Sequence, residues 1–160
     1  MLFRSTIVVN NEFVCSVGGD ISVYDMKGEK IKSISGEFDA ASLNSKGRIV
    51  YLGGKSSRYS DGGSGEIFAA LDLGSTEMKL KKIKLPIDIR FGKSVDDILI
   101  LGNKMVLVDD IVFPKFLLEY DISNPENPVH VKTKELENNG TYEHIIKGDM
   151  NHDWMRSEEH

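Results

Sequence analysis

Three features of the 160-residue sequence predict an all-β protein built from four-stranded antiparallel sheets. Apolar and polar residues alternate in short runs, the runs are separated by Gly, Asn and Asp in tight-turn combinations, and the same order of runs recurs three times. Helical periodicity is almost absent before residue 140.

In the first unit the runs are STIVV (5 to 9), EFVCSV (12 to 17), DISVYDM (20 to 26) and KIKSI (30 to 34), joined by Asn10-Asn11, Gly18-Gly19 and Lys27-Gly28-Glu29. Gly and Asn suit these joints because they accept the positive φ of tight hairpin turns. The second unit reads AASL, turn NSKG, RIVYLGG, a longer loop, EIFAALDL, turn GSTE and MKLKKIKL. The third reads DDILIL, turn GN, KMVLVDD, a loop, KFLLEYDI, turn NPENP and VHVKTKEL. The anchors VYDM, ALDL and EYDI place Asp25, Asp72 and Asp121 at intervals of 47 and 49 residues. That interval lies beside the roughly 40 to 50 residues of a four-stranded propeller blade.

A small twisted sheet cannot bury both faces alone, and stacking sheets face to face around an axis buries them. The expected fold is therefore β-propeller-like, with blades at 2–35, 38–85 and 95–136 within a region 1–136, followed by an acidic C-terminal tail or extra strand at 137–160. Each anchor Asp is expected to accept hydrogen bonds from the backbone of the turn that follows it. Propellers close with about 4 to 8 blades. Three blades leave terminal sheets whose faces are expected to be apolar and open, so the ring is expected to be completed by a second copy, in a homodimer. The alternative is completion by the tail, where GTYEHIIKG (140 to 148) reads as a further strand or as a helix capped by Thr141.

Within the third unit, Tyr120, Asp121, Ile122, Ser123, Asn124, Pro125, Pro128 and Val129 follow one another as a strand end, an Asn-Pro step, a spacer, a Pro and an outer strand. Over residues 115–136 this resembles a unit of the LVIVD-repeat β-propeller family; in the first two units only the Tyr-Asp or Leu-Asp step matches. The resemblance implies a blade and a recognition scaffold without shared catalytic residues.

Composition narrows the function classes. Charged residues are 28% and hydrophobic ones 40%, an ordinary globular balance. Residues 135–160 hold seven acidic residues against Lys147 and Arg156, so the formal charge of −5 resides there and the body is neutral. The most basic stretch, MKLKKIKL, reads as an alternating strand with a solvated lysine face, so neither nucleic acid nor a membrane surface is an expected partner. The opening MLFRSTIVVNNEF lacks the apolar length of a secretory leader, and a cytoplasmic location is expected. Cys15, alone in the chain, is expected to be a buried thiol.

Candidate chemistry is sparse. His144, Asp149, His152 and Asp153 carry metal-ligand chemistry but fit no compact motif, so neither a metal nor a cofactor is expected. Ser residues form no G-x-S-x-G elbow, Cys15 has no activating context, and no catalytic residue is assigned. The insertion KSSRYSDGGSGE (55 to 66) offers Arg58 and Tyr59 for binding, since long loops on rigid scaffolds frequently carry recognition. In a four-strand meander its end of the sheet also receives the linker PIDIRFGKS (86 to 94) and residues 109 to 115, so Arg90, Lys93, Asp109 and Asp110 are expected to share that surface. Tyr142 and Trp154 are the interface anchors of the tail. The sequence thus favours a non-enzymatic protein-binding or assembly module that associates with itself and, in a second role, with another protein. The alternatives are a dedicated inhibitor or immunity protein for a basic partner and, third, a metal-dependent hydrolase.

Overall fold

The computed structural model describes residues 5–18, 20–35, 38, 40–55, 67–86, 94–109 and 115–136, and these form strands and turns. The first sheet contains β1 (Ser5–Val9), β2 (Phe13–Gly18), β3 (Asp20–Asp25) and β4 (Lys30–Ile34). The second contains β5 (Ala40–Lys46), β6 (Ile49–Gly54), β7 (Phe68–Asp72) and β8 (Leu80–Lys82), and the third β9 (Asp97–Leu101), β10 (Lys104–Asp109), β11 (Lys115–Asp121) and β12 (Val129–Leu136). Each sheet is four-stranded, antiparallel and ordered as in the chain. No helix among the described residues is long and apolar enough to cross a membrane.

Turn chemistry sets the hairpins. Asn10 and Asn11 adopt φ of 53° and 57°, left-handed values that Asn tolerates better than most residues. Gly47 and Gly102 take φ of 56° and 61° at equivalent places in the β5–β6 and β9–β10 turns. The anchor aspartates behave as their sequence context predicts. Asp25 Oδ1 accepts from the N–H groups of Lys27 and Glu29, Asp72 Oδ1 from Gly74 N–H, and Asp121 Oδ1 from Ser123 N–H and Oγ–H. The two Ser123 bonds hold the Asp121 carboxyl below its ordinary range.

The three sheets stack in chain order. One core joins the first sheet (Val9, Cys15, Ile21, Val23) to the second (Val50, Leu52, Leu71, Leu73), and another joins the second (Tyr51, Phe68) to the third (Met105, Leu107, Tyr120, Ile122). The second sheet is thus buried on both sides, which explains the unbroken apolar run of β6, every residue of which is buried. First strands adjoin across the stack, β1 and β2 against β5, and β5 and β6 against β9. Strand β12, at the far edge, is mostly exposed. Burial pushes the Cys15 thiol up to about 11, in line with a small core residue.

Polar links recur between sheets. Lys32 Nζ donates to Glu77 O at 3.5 Å, and Lys81 Nζ, in the same position one sheet further on, donates to Glu126 O at 3.4 Å. Asn44 Nδ2 donates to Ile98 O at 2.8 Å, and Arg48 grips both carboxylate oxygens of Glu12 at 2.8 and 3.0 Å.

Two details differ from the sequence pattern. MKLKKIKL forms a strand only over Leu80–Lys82: Met78 has φ of 47°, and Leu85 turns into the core at 5% exposure. The outward face of the first sheet is also not the apolar surface expected of a terminal blade. Cross-strand register aligns Thr6, Ser16, Ser22 and Ser33 in one row, and Val8, Val14, Tyr24 and Lys30 in the next. The alternation in STIVV turns Ile7 and Val9 inward and leaves Thr6 and Val8 outward.

Candidate functional site

The end of the stack where β6 and β10 finish gathers the connections between sheets. Gly54 N–H donates to Ile67 O at 2.8 Å, Val95 N–H to Gly54 O at 2.9 Å, and Lys55 bridges Ser94. The start of the β6–β7 connection and the end of the linker before β9 are therefore side by side, as expected for a meander. Ser42 Oγ donates to Val95 O at 2.7 Å, and Ser94 Oγ to Asp96 Oδ1 at 2.7 Å. Among the described glycines packing is closest at Gly53, where a Cβ would run into Ser42 Oγ and stand 2.6 Å from Val95 Cγ1. A glycine is needed there for close approach rather than for a turn.

Asp109 ends β10 at this place. It is 5% exposed and shares the side of Met105 and Leu107, which face the second sheet. Asp96 N–H donates to Val108 O at 2.7 Å, so the linker runs beside it. A carboxyl so enclosed is part of the packing between sheets, in contrast to the shared surface expected of Asp109 and Asp110 from sequence. The sequence signal for that burial is the alternation of KMVLVD, which sets Asp109 in line with Met105 and Leu107. Arg58, Tyr59, Arg90, Lys93, Asp110, Tyr142 and Trp154 lie outside the described residues, as do His144, Asp149, His152 and Asp153.

Two further surfaces were not singled out from sequence. On the third sheet, a groove of about 610 Å³ lies between the β9–β10 and β11–β12 turns, lined by Leu101, Lys104, Glu119, Asp121, Ser123 and Val131. Lys104 Nζ stands 3.4 Å from Glu119 Oε1, and the Glu119 side chain is only 4% exposed. Among the described residues no hydrogen bond reaches that oxygen, so the contact with Lys104 is an ion pair of loose geometry. The Tyr120 hydroxyl, on the opposite side of β11, is pushed up to about 12 by burial, and its ring packs on Phe68 with centroids 5.6 Å apart. Neither arrangement sets a base beside a nucleophile.

The other surface is the outward face of the first sheet. Position by position, the residue after each anchor aspartate is Met26, Leu73 or Ile122. Leu73 is 2% exposed against the first sheet and Ile122 0% against the second, while Met26 is 55% exposed. Val8, on the same outward face, is 54% exposed, and Thr6 Oγ1 donates to Ser16 Oγ at 3.1 Å. In the stacking pattern of the chain, this face is where a preceding sheet would sit. The chain matches no protein-family model and no curated protein.

Proposed function

We propose that the protein is a non-enzymatic assembly and protein-binding module of the β-propeller type, in which the three sheets are blades and a second copy of the chain completes the ring. The observation that carries this reading is the contrast between Met26 and its counterparts Leu73 and Ile122. The same step of the repeat is buried wherever a sheet precedes it and bare where none does. Residues that pack on a neighbour in two units out of three mark a vacant neighbour position in the third. The vacant face combines apolar patches at Val8, Val14, Tyr24 and Met26 with the hydroxyl row, a mixed composition typical of interfaces formed by separately folded chains. The resemblance of residues 115–136 to LVIVD repeats supports the same reading, since such blades serve recognition. The buried, unbridged Cys15 suits a reducing compartment, and the cytoplasm is the location we propose.

Light scattering behind a sizing column tests the proposal. Two chains per particle at low micromolar concentration are expected, and Val8→Glu with Met26→Glu should return the protein to one chain with its strand content intact. A single chain per particle at every concentration would overturn self-assembly and favour the dedicated-inhibitor alternative.

A further inference from the structure

The stack builds the same joint twice. In each sheet the residue paired with the anchor aspartate on the neighbouring inner strand is Phe13, Ile49 or Lys104, and the residue two before the anchor is Val23, Ala70 or Glu119. In the first two sheets these positions face the sheet that follows. Val23 lies in the cluster that holds Leu73 of the second sheet, with Phe13 packed against it, and Ile49 and Ala70 lie in the cluster that holds Ile122 of the third. Twice, therefore, the residue after an anchor aspartate enters the core that forms over the preceding sheet.

Between the second and third sheets this joint leaves a cavity of about 260 Å³, lined by Ile49, Ala70, Asp72, Lys81 and Glu126. Glu126 belongs to the β11–β12 turn, which closes the cavity from the third sheet. The groove on the third sheet is the same place one sheet further on, with Lys104, Glu119 and Asp121 in the positions of Ile49, Ala70 and Asp72. Among the described residues no sheet follows to close it. It measures about 610 Å³, and its walls include Leu101, 46% exposed, and Val131, 55% exposed. Asp121 borders it with Oδ1 engaged by Ser123.

We propose that this groove, in one copy of the chain, is the seat of Met26 of the second copy. Resting on the two-copy reading, the seat gives the joint a direction: the first sheet of each copy packs on the third sheet of the other, not on its own counterpart. Two copies then make two identical joints, and each open face is used once. The chemistry of the groove fits the change of residue. Lys104 brings an aliphatic stem beneath an ammonium that stands beside Glu119, so apolar walls surround one ion pair. A long, unbranched and polarisable side chain adapts to such a site better than the branched Leu73 and Ile122, which enter wholly apolar cores. The joint between copies is also tied less firmly than those within the chain. The β7–β8 and β11–β12 turns offer Glu77 O and Glu126 O to lysines of the preceding sheet. Nine residues separate the paired Tyr120 and His130, but only five the equivalent Tyr24 and Lys30. The shorter turn of the first sheet overhangs less of the groove, so the anchoring contact falls to Met26.

Met26→Cys and Leu101→Cys set one thiol on either side of the joint, at exposed positions outside the core, while the natural Cys15 is buried. Light scattering on each full-length sample reads the number of chains before any reagent is added. A short bis-maleimide should then link the two variants into a two-chain product when they are co-expressed, and should link neither variant to itself. Two chains per particle with Met26→Cys linked to its own copy would place first sheet on first sheet, and would overturn the directional joint while self-assembly stands. Two chains per particle with no link in the mixture would overturn it as well. One chain per particle would overturn the two-copy reading itself. As a second measurement, Leu101→Glu should weaken self-association about tenfold or more. Met26→Lys added to the same chain should recover most of that loss, because each joint then sets opposite charges together. An unchanged dissociation constant in Leu101→Glu, or a loss that Met26→Lys does not relieve, would place Met26 on another surface.

Discussion

The phenolic hydroxyl of Tyr51, on the inner strand β6 of the second sheet, donates a 2.6 Å hydrogen bond to the carbonyl oxygen of Pro125 in the β11–β12 turn of the third. The Asn-Pro turn is thereby fastened to the sheet behind it, and the Tyr51 ring stacks on Phe68 with centroids 6.3 Å apart. Tyr51→Phe keeps the ring and removes the bond. It should lower stability by about 1 kcal/mol in urea unfolding, with the slope unchanged. An unaltered midpoint would show that water replaces the bond at no cost.

Gly53→Ala should be more damaging than its size implies. The added methyl would collide first with Ser42 Oγ, which is held by its bond to the Val95 carbonyl, and then with Val95, 2.6 Å from one carbon and 2.7 Å from another, at a β-branched side chain that has little freedom to yield. A loss of about 1 to 3 kcal/mol is expected from overpacking, read as an earlier thermal transition. Removing the nearest obstacle as well, in Gly53→Ala with Ser42→Ala, should restore part of it.

Asp121→Ala removes both Ser123 bonds and should lower the thermal midpoint while leaving the oligomeric state unchanged. Retained stability with lost association would identify Asp121 as an interface residue.

Acid titration should reveal the depressed carboxyls. Hydrogen bonds from Arg48 lower Glu12, and those from Ser123 lower Asp121. For both, the unfolded chain binds protons at a higher pH than the folded one. Their contribution is therefore complete above the unfolded values of about 4 and fades as pH falls through the lower folded values. Glu12→Gln and Asp121→Asn should each flatten the decline of thermal midpoint below about pH 4.5. An identical pH profile in both variants would contradict the assignment.

Strand positions and turns were legible because alternation and Gly or Asn punctuation act locally: Ile7 and Val9 alternate with Thr6 and Val8 whatever the sheet meets. The partner of each face was not legible. Val50 and Tyr51 are equally apolar, yet one faces the first sheet and the other the third. Its acidity makes Asp109 a candidate in the sequence, but its burial goes with a linker held beside β10 by the Asp96 N–H bond to Val108 O, which local alternation does not disclose. Glu119 does not stand out in sequence, since LLEY reads as an apolar run broken once, and only the register of β10 with β11 places it beside Lys104.

The lysine links between sheets have an architectural corollary. Lys32 reaches Glu77 and Lys81 reaches Glu126 across the same separation of 45 residues, so the chain makes one joint twice and in one direction. A joint that is directional and identical at each use can be extended: splicing a second copy of residues 38–94 after residue 94 would present each new lysine with a carbonyl already in place. Such a lengthened chain would extend the stack by one sheet, grown by duplication of a single cassette.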